Sequence, residues 1–159
     1  LPEAGKTLHQ PKNRMNEEFT VYANKSIKYL NDATIVSRLS HWNVRGPNFY
    51  EAHLLFERVY NDLSDKMDGL VEKLRACGFD PDFSLFSGPG ISMEFFDANS
   101  LVELNMDYLM ALNSAVGYFY NFCEEHSQDP RLVGIGSHLQ GTAETVLNDL
   151  YLLQAFSGH

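Results

Sequence analysis

An all-α fold, one bundle of four long helices, is predicted by three observations. Apolar residues recur at helical spacing in four long segments. Each segment is bounded by residues that start or stop helices. No segment shows the period-two alternation of a half-buried strand, and no internal repeat divides the chain. With 159 residues and 44% hydrophobic composition, the chain has enough material for one domain with its own core.

Residues 1–15, "LPEAGKTLHQPKNRM", hold two prolines and no apolar periodicity, and read as a flexible N-terminal tail. The domain proper is expected over residues 16–159. Its first helix runs from about Asn16 to Asn43, with Phe19, Tyr22, Ala23, Leu30, Ala33, Val36, Leu39 and Trp42 on its apolar stripe. Gly46-Pro47 stops it. Asn48 reads as the N-cap of the second helix, with Glu51 three residues on completing a box-like arrangement. That helix carries Phe49, Ala52, Phe56, Val59, Tyr60, Leu63, Met67, Leu70, Val71 and Leu74 on one stripe, and Gly78 ends it.

Residues 79–99 are unusually long for a connection inside one domain. They predict a crossover along the bundle carrying a short helix near Met93 to Phe96. The third helix is expected to start at a capping box, Ser100 with Glu103. It continues through Leu104, Leu112, Val116 and Phe119 to Cys123. Asp129 then caps a fourth helix that has Pro130 in its first turn. Leu132, Ile135, Leu139, Ala143, Val146, Leu150 and Leu153 form its stripe, with Gly134, Gly136 and Gly141 as weak points. A short turn, a long crossover and a second short turn let the third helix run parallel to the second. That is the ferritin-like connectivity of four-helix bundles.

The formal net charge of −9 disfavours nucleic acid as a main partner unless the basic groups cluster. No apolar run reaches transmembrane length and no charged-then-apolar leader opens the chain, so a soluble protein without a membrane partner is expected. Two cysteines, Cys77 and Cys123, make no disulfide framework and point to a cytoplasmic location. Neither has an obvious paired base for nucleophilic catalysis.

None of the six histidines follows a Glu by three residues, so a di-iron site inside one bundle is disfavoured. The second helix offers another arrangement. His53 and Glu57 stand one turn apart, and so do Asp68 and Glu72. His53 and Glu72 are nineteen residues apart, about 28 Å at about 1.5 Å per residue, too far to share a metal on one helix. Two antiparallel copies of the helix remove the difficulty. The pair His53 and Glu72 and the pair Glu57 and Asp68 share one midpoint, between Asp62 and Leu63, so a single two-fold axis brings both into register. His41, across the tight turn, can add a further nitrogen. Imidazole and carboxylate without thiolate suit iron, zinc or manganese. Standing alone, an acid pair such as Asp68 and Glu72 is more often a solvated helix face than a ligand set.

The stretch "SHWNVRGPNFYEAHLLFERVYNDLSDKMDGLVEKLRACG" resembles the signature of the Dps proteins, the miniferritins. The shared pattern is HW, x, V, x, G, x, x, F, then His, then x-M-D-x-x-x-E, then a glycine stop. "DLYLLQAF" is similar to the family's closing aromatic segment. The resemblance implies a hollow dodecamer with di-iron ferroxidase centres at two-fold interfaces, oxidising Fe(II) preferentially with hydrogen peroxide and storing ferric mineral. It implies that His41, His53 and Glu57 come from one subunit and Asp68 and Glu72 from its mate. Asp68 then bridges, Glu57 takes an outer position, and zinc can substitute for iron. Trp42 matches an aromatic beside the centre. Departures are Glu57 where Asp is common, Leu54 and Arg58 where acids help nucleate mineral, and "DPRLVGIGSHL", which lacks a Thr-Ala-Asp run.

The reading is a ferroxidase and iron store that protects against oxidative damage, cytoplasmic or associated with the nucleoid. Its tail, with Lys6, Lys12 and Arg14 against Glu3, is modestly basic, so DNA binding is expected to be weak or absent. Two alternatives stand beside it: a nucleoid-compacting shell protein with little ferroxidase activity, and a structural or zinc-buffering assembly.

Overall fold

The computed structural model describes residues 14–158, and among them are α1 (Arg14–Asn43), α2 (Phe49–Ala76), a 3-10 helix (Phe83–Ser87), α3 (Ala98–Glu125) and α4 (Pro130–Phe156). The proposed tail falls on residues 1–15, of which 1–13 lie outside the described residues; Arg14 and Met15 begin α1. The helix α1 packs against α2 and α3, and α4 packs against α3 and α2, so α2 and α3 lie diagonally across one bundle.

The direction of each helix follows from where the crossover is tied down. Its start lies beside the first turns of α1, with the Phe79 ring 5.6 Å from that of Phe19. The Asp82 amide donates to the Asn24 side chain at 3.3 Å, and the Asn31 side chain donates to the Leu85 carbonyl at 3.5 Å. Its far end meets the α1–α2 turn, where the Arg45 amide donates to the Phe96 carbonyl at 2.9 Å and the Arg45 guanidinium lies 4.1 Å over the Phe96 ring. The crossover therefore travels the length of α1 and returns the chain to the end where α2 began. So α3 starts beside the start of α2 and runs parallel to it, as the predicted connectivity requires.

Three local expectations are corrected. Asn48 makes no side-chain cap; it sits at φ 63°, ψ 25°, the left-handed region. It follows Gly46 at φ 91°, and together they turn the chain sharply enough that Phe49 N donates to the Gly46 carbonyl at 3.1 Å. Asn is chosen there for its tolerance of positive φ. The cap of α3 is Asp97, which accepts from the Ser100 amide at 3.0 Å; this places Ser100 inside the first turn rather than at its boundary. That bond holds the Asp97 carboxyl below its ordinary pKa. The short helix of the crossover is at Phe83–Ser87, not Met93 to Phe96, because Asp82 caps Ser84 through both its amide and its hydroxyl. Asp129 does cap α4, accepting from Arg131 N at 3.0 Å.

The core lies between the four helices and is closed at one end by Phe19, Phe79, Phe119 and Phe122, with edge-on and tilted ring contacts. With α2, α3 and the crossover all against it, α1 buries polar residues as well. Thr34, Ser37 and Ser40 satisfy their hydroxyls on α1's own carbonyls, and Asn105 of α3 donates to Ser40 Oγ at 2.9 Å. Despite its glycines, α4 is continuous. Gly136 lets α4 approach α3, since a Cβ there would stand 3.3 Å from Cys123 Cβ. On α2, Gly69 makes room for His138 of α4, whose Nε2 donates to the Lys66 carbonyl at 2.9 Å. Two residues placed on apolar stripes are not core: Trp42 is 64% exposed and Phe49 is 42% exposed.

Candidate metal centre

His41 lies in the last turn of α1 and His53 in the second turn of α2. The tight turn folds them against each other, with ring centroids 3.8 Å apart and planes 16° from parallel. Each ring is tied to the other residue's backbone. His41 Nδ1 lies 2.8 Å from the His53 carbonyl, and His53 Nδ1 lies 2.8 Å from the His41 carbonyl.

The backbone explains half of this clasp. In a continuing helix the Arg45 amide would bond the His41 carbonyl, but it bonds Phe96 instead. The His53 ring takes the vacated place. The His53 carbonyl lies inside α2 and accepts His41 on its second lone pair. A carbonyl oxygen only accepts, so each Nδ1 carries a hydrogen. In the neutral rings both Nε2 atoms then present lone pairs, the tautomer a metal-binding histidine needs.

The surroundings are aromatic. The Phe49 ring stacks on His53 at 5.0 Å, and Tyr60 meets His41 edge-on at 5.4 Å, with Arg38 4.7 Å over the tyrosine ring. Tyr60 was legible only as a stripe residue; its position seven after His53, two helical turns on, is the signal that it shares the histidine face. Beside the pair, Trp42, Tyr50 and Leu54 expose large apolar side chains.

The carboxylates do not join the histidines within one chain. Glu57, one turn beyond His53, is half-buried, while Asp68 and Glu72 are exposed farther along α2. Among the described residues, no group of three or more His, Cys, Asp or Glu side chains could hold a metal ion. The thiols offer no substitute. Burial raises Cys77 and pushes Cys123 up to about 12, so both stay protonated and poor as ligands.

A four-helix bundle whose crossover makes α2 and α3 parallel, with imidazoles and carboxylates on one helix pair, defines the ferritin-like class. The chain belongs to the ferritin-like domain family, which it matches over residues 22–141. It is 44% identical over 41 residues to a DNA protection during starvation protein from Brevibacillus brevis, a match covering 26% of this chain and 28% of that one. The matched part is thus under a third of that relative's length. The fold of Dps from Thermosynechococcus elongatus superposes with a TM-score of 0.79 at 15% identity, covering 91% of this chain and 93% of that one. A Dps protein from Vibrio cholerae O1, described as a member of a broad superfamily of ferritin-like diiron-carboxylate proteins, superposes at 0.77 with 20% identity, covering 89% and 90%. Among the described residues, no helix is long and apolar enough to cross a membrane.

Proposed function

We propose that the chain is the subunit of a miniferritin shell that oxidises Fe(II) with hydrogen peroxide at centres shared by two subunits and stores the ferric product. The observation that carries this reading is the His41–His53 clasp: two imidazoles locked by backbone carbonyls in the tautomer that leaves both Nε2 atoms for a metal. Iron is the substrate. His41, His53 and Glu57 of one subunit face Asp68 and Glu72 of its mate, which the shared midpoint on α2 brings into register. The exposed Trp42, Phe49, Tyr50 and Leu54 supply apolar surface for that contact. Two Fe(II) ions give up one electron each, and peroxide accepts both as its O–O bond breaks to two hydroxide equivalents. No one-electron fragment of peroxide is released, which protects against oxidative damage.

Anaerobic loading with Fe(II), followed by peroxide, tests the reading. Ferric absorbance should grow with one peroxide consumed per two iron ions. His53→Ala should slow it by at least about tenfold through loss of a ligand. An unchanged rate in that variant, with helices intact, would move the oxidation elsewhere. With a net charge of −9, the protein should protect DNA by removing iron and peroxide more than by binding it.

A further inference from the structure

A second group of ionisable side chains lies between α2 and α4. Asp62 follows His53 by nine residues, and at about 100° per residue it stands half a turn round the helix from the histidine face. Asp149 of α4 meets it there. Asp149 is fully buried, and no amide, hydroxyl or guanidinium donates to its carboxyl oxygens, which hydrogen-bond with the Asp62 carboxyl instead. Arg58 flanks both acids, its Nε 3.8 Å from Asp149 Oδ1 and 3.8 Å from Asp62 Oδ2. That is beyond hydrogen-bond range. The side chains of Asp62 and Arg58 are 33% and 56% exposed, so the cluster has a floor at Asp149 and a mouth open to water.

A buried carboxylate with no donor is costly and needs an occupant. One proton shared with Asp62 is the simplest. Burial, with the neighbouring Asp62 second, pushes the Asp149 carboxyl up to about 8, so the proton is held at neutral pH. One proton makes one O–H···O bond and leaves other oxygens unserved. Arg58 supplies charge at a distance without a hydrogen bond. A doubly charged ion would neutralise both carboxylates together and complete its shell with water through the mouth.

We propose that Asp62 and Asp149 form a divalent-cation site within a single chain, with Arg58 as the counter-ion that withdraws when the ion binds. Two carboxylates and no imidazole select a hard, oxygen-preferring ion of the manganese or magnesium kind. The ion takes the place of the shared proton, so each ion bound releases one proton. The site is separate from the histidine centre and stands whether or not that centre oxidises iron.

Manganese(II) titration of the full-length protein at pH 7, followed by electron paramagnetic resonance with proton release recorded in parallel, provides the test. It is best run in the His53→Ala background, which weakens the histidine centre by removing one of its imidazoles. One ion per chain should bind with release of about one proton. Asp149→Asn should abolish that binding, and Asp62→Asn should weaken it by at least about tenfold. Arg58→Gln should tighten it, because the competing cation is gone. Absence of manganese binding, binding indifferent to both asparagine substitutions, or weaker binding in Arg58→Gln would overturn the proposal. Should Asp149→Asn not fold, the partly exposed Asp62→Asn and Arg58→Gln decide it between them.

Discussion

Gly69 shows how one missing methyl group sets a contact between helices. An ideal Cβ there would stand 2.4 Å from His138 Cε1 and 3.0 Å from Nε2, while the same Nε2 is held by the Lys66 carbonyl. Gly69→Ala therefore sets a helix-propensity gain of about 1 kcal/mol against a forced displacement of the ring. Overpacking costs about 1–3 kcal/mol, and the lost hydrogen bond about 1 kcal/mol more, so destabilisation wins. At this size each kcal/mol lowers Tm by about 2–4 °C. In a His138→Ala background the sign should reverse, with Gly69→Ala raising Tm; calorimetry of the four proteins checks both. The residue scale is also where sequence reasoning reached least. His41 and His53 were legible from type and spacing, but their mutual clasp depends on Arg45 turning to Phe96, a partner fifty-one residues away. Asp149 carries no signal in the sequence: it stands next to the apolar stripe of Val146, Leu150 and Leu153, and the packing of α4 on α2 buries it.

The helices themselves were legible, because each stripe repeats over seven or more turns and no competing pattern interrupts it. Their ends were less so. An Asn before a helix has two uses, side-chain cap and left-handed turn, and composition does not separate them. Substitution does. A capping role predicts that Asn48→Ser is tolerated. The observed φ of 63° predicts that Asn48→Gly is at least as stable as the parent and Asn48→Ser less stable, by about 1 kcal/mol. Urea titrations of the two variants distinguish these, and a harmless Ser would reject the left-handed assignment. The Phe83–Ser87 helix eluded prediction because its stability comes from the Asp82 side chain and from docking on α1, not from any periodicity.

At the scale of the whole molecule, the histidines and the carboxylates do not meet within a chain, and a large apolar surface beside His53 is left uncovered. A proposed two-chain site turns both facts into one expectation, a closed homo-oligomer. Light scattering should give a mass far above the 18.1 kDa of one chain. Mixed assemblies probe the sharing directly. Subunits with only His53→Ala and subunits with only Asp68→Ala should each oxidise Fe(II) slowly. Reassembled together, they form some interfaces with one intact centre, and activity should return. A verified mixture that stays inactive, or an active monomer, would defeat the two-chain site.

The crossover has a consequence in time as well as in space. The pairs α1–α2 and α3–α4 are joined by short turns, and their contacts are local in the chain. The α1–α3 contacts must wait until the segment from Gly78 to Asp97 has closed along α1, an entropic delay that short turns do not impose. The two helical hairpins should therefore form early and dock late. Asn105, which reaches from α3 to Ser40 of α1, belongs to the docking step. Asn105→Ala should leave the refolding rate nearly unchanged and accelerate unfolding, whereas Phe56→Leu, inside α2's buried stripe, should slow refolding. Stopped-flow kinetics under conditions where the subunits are dissociated would read the order of these events, and an effect of Asn105→Ala mainly on refolding would place docking before the transition state.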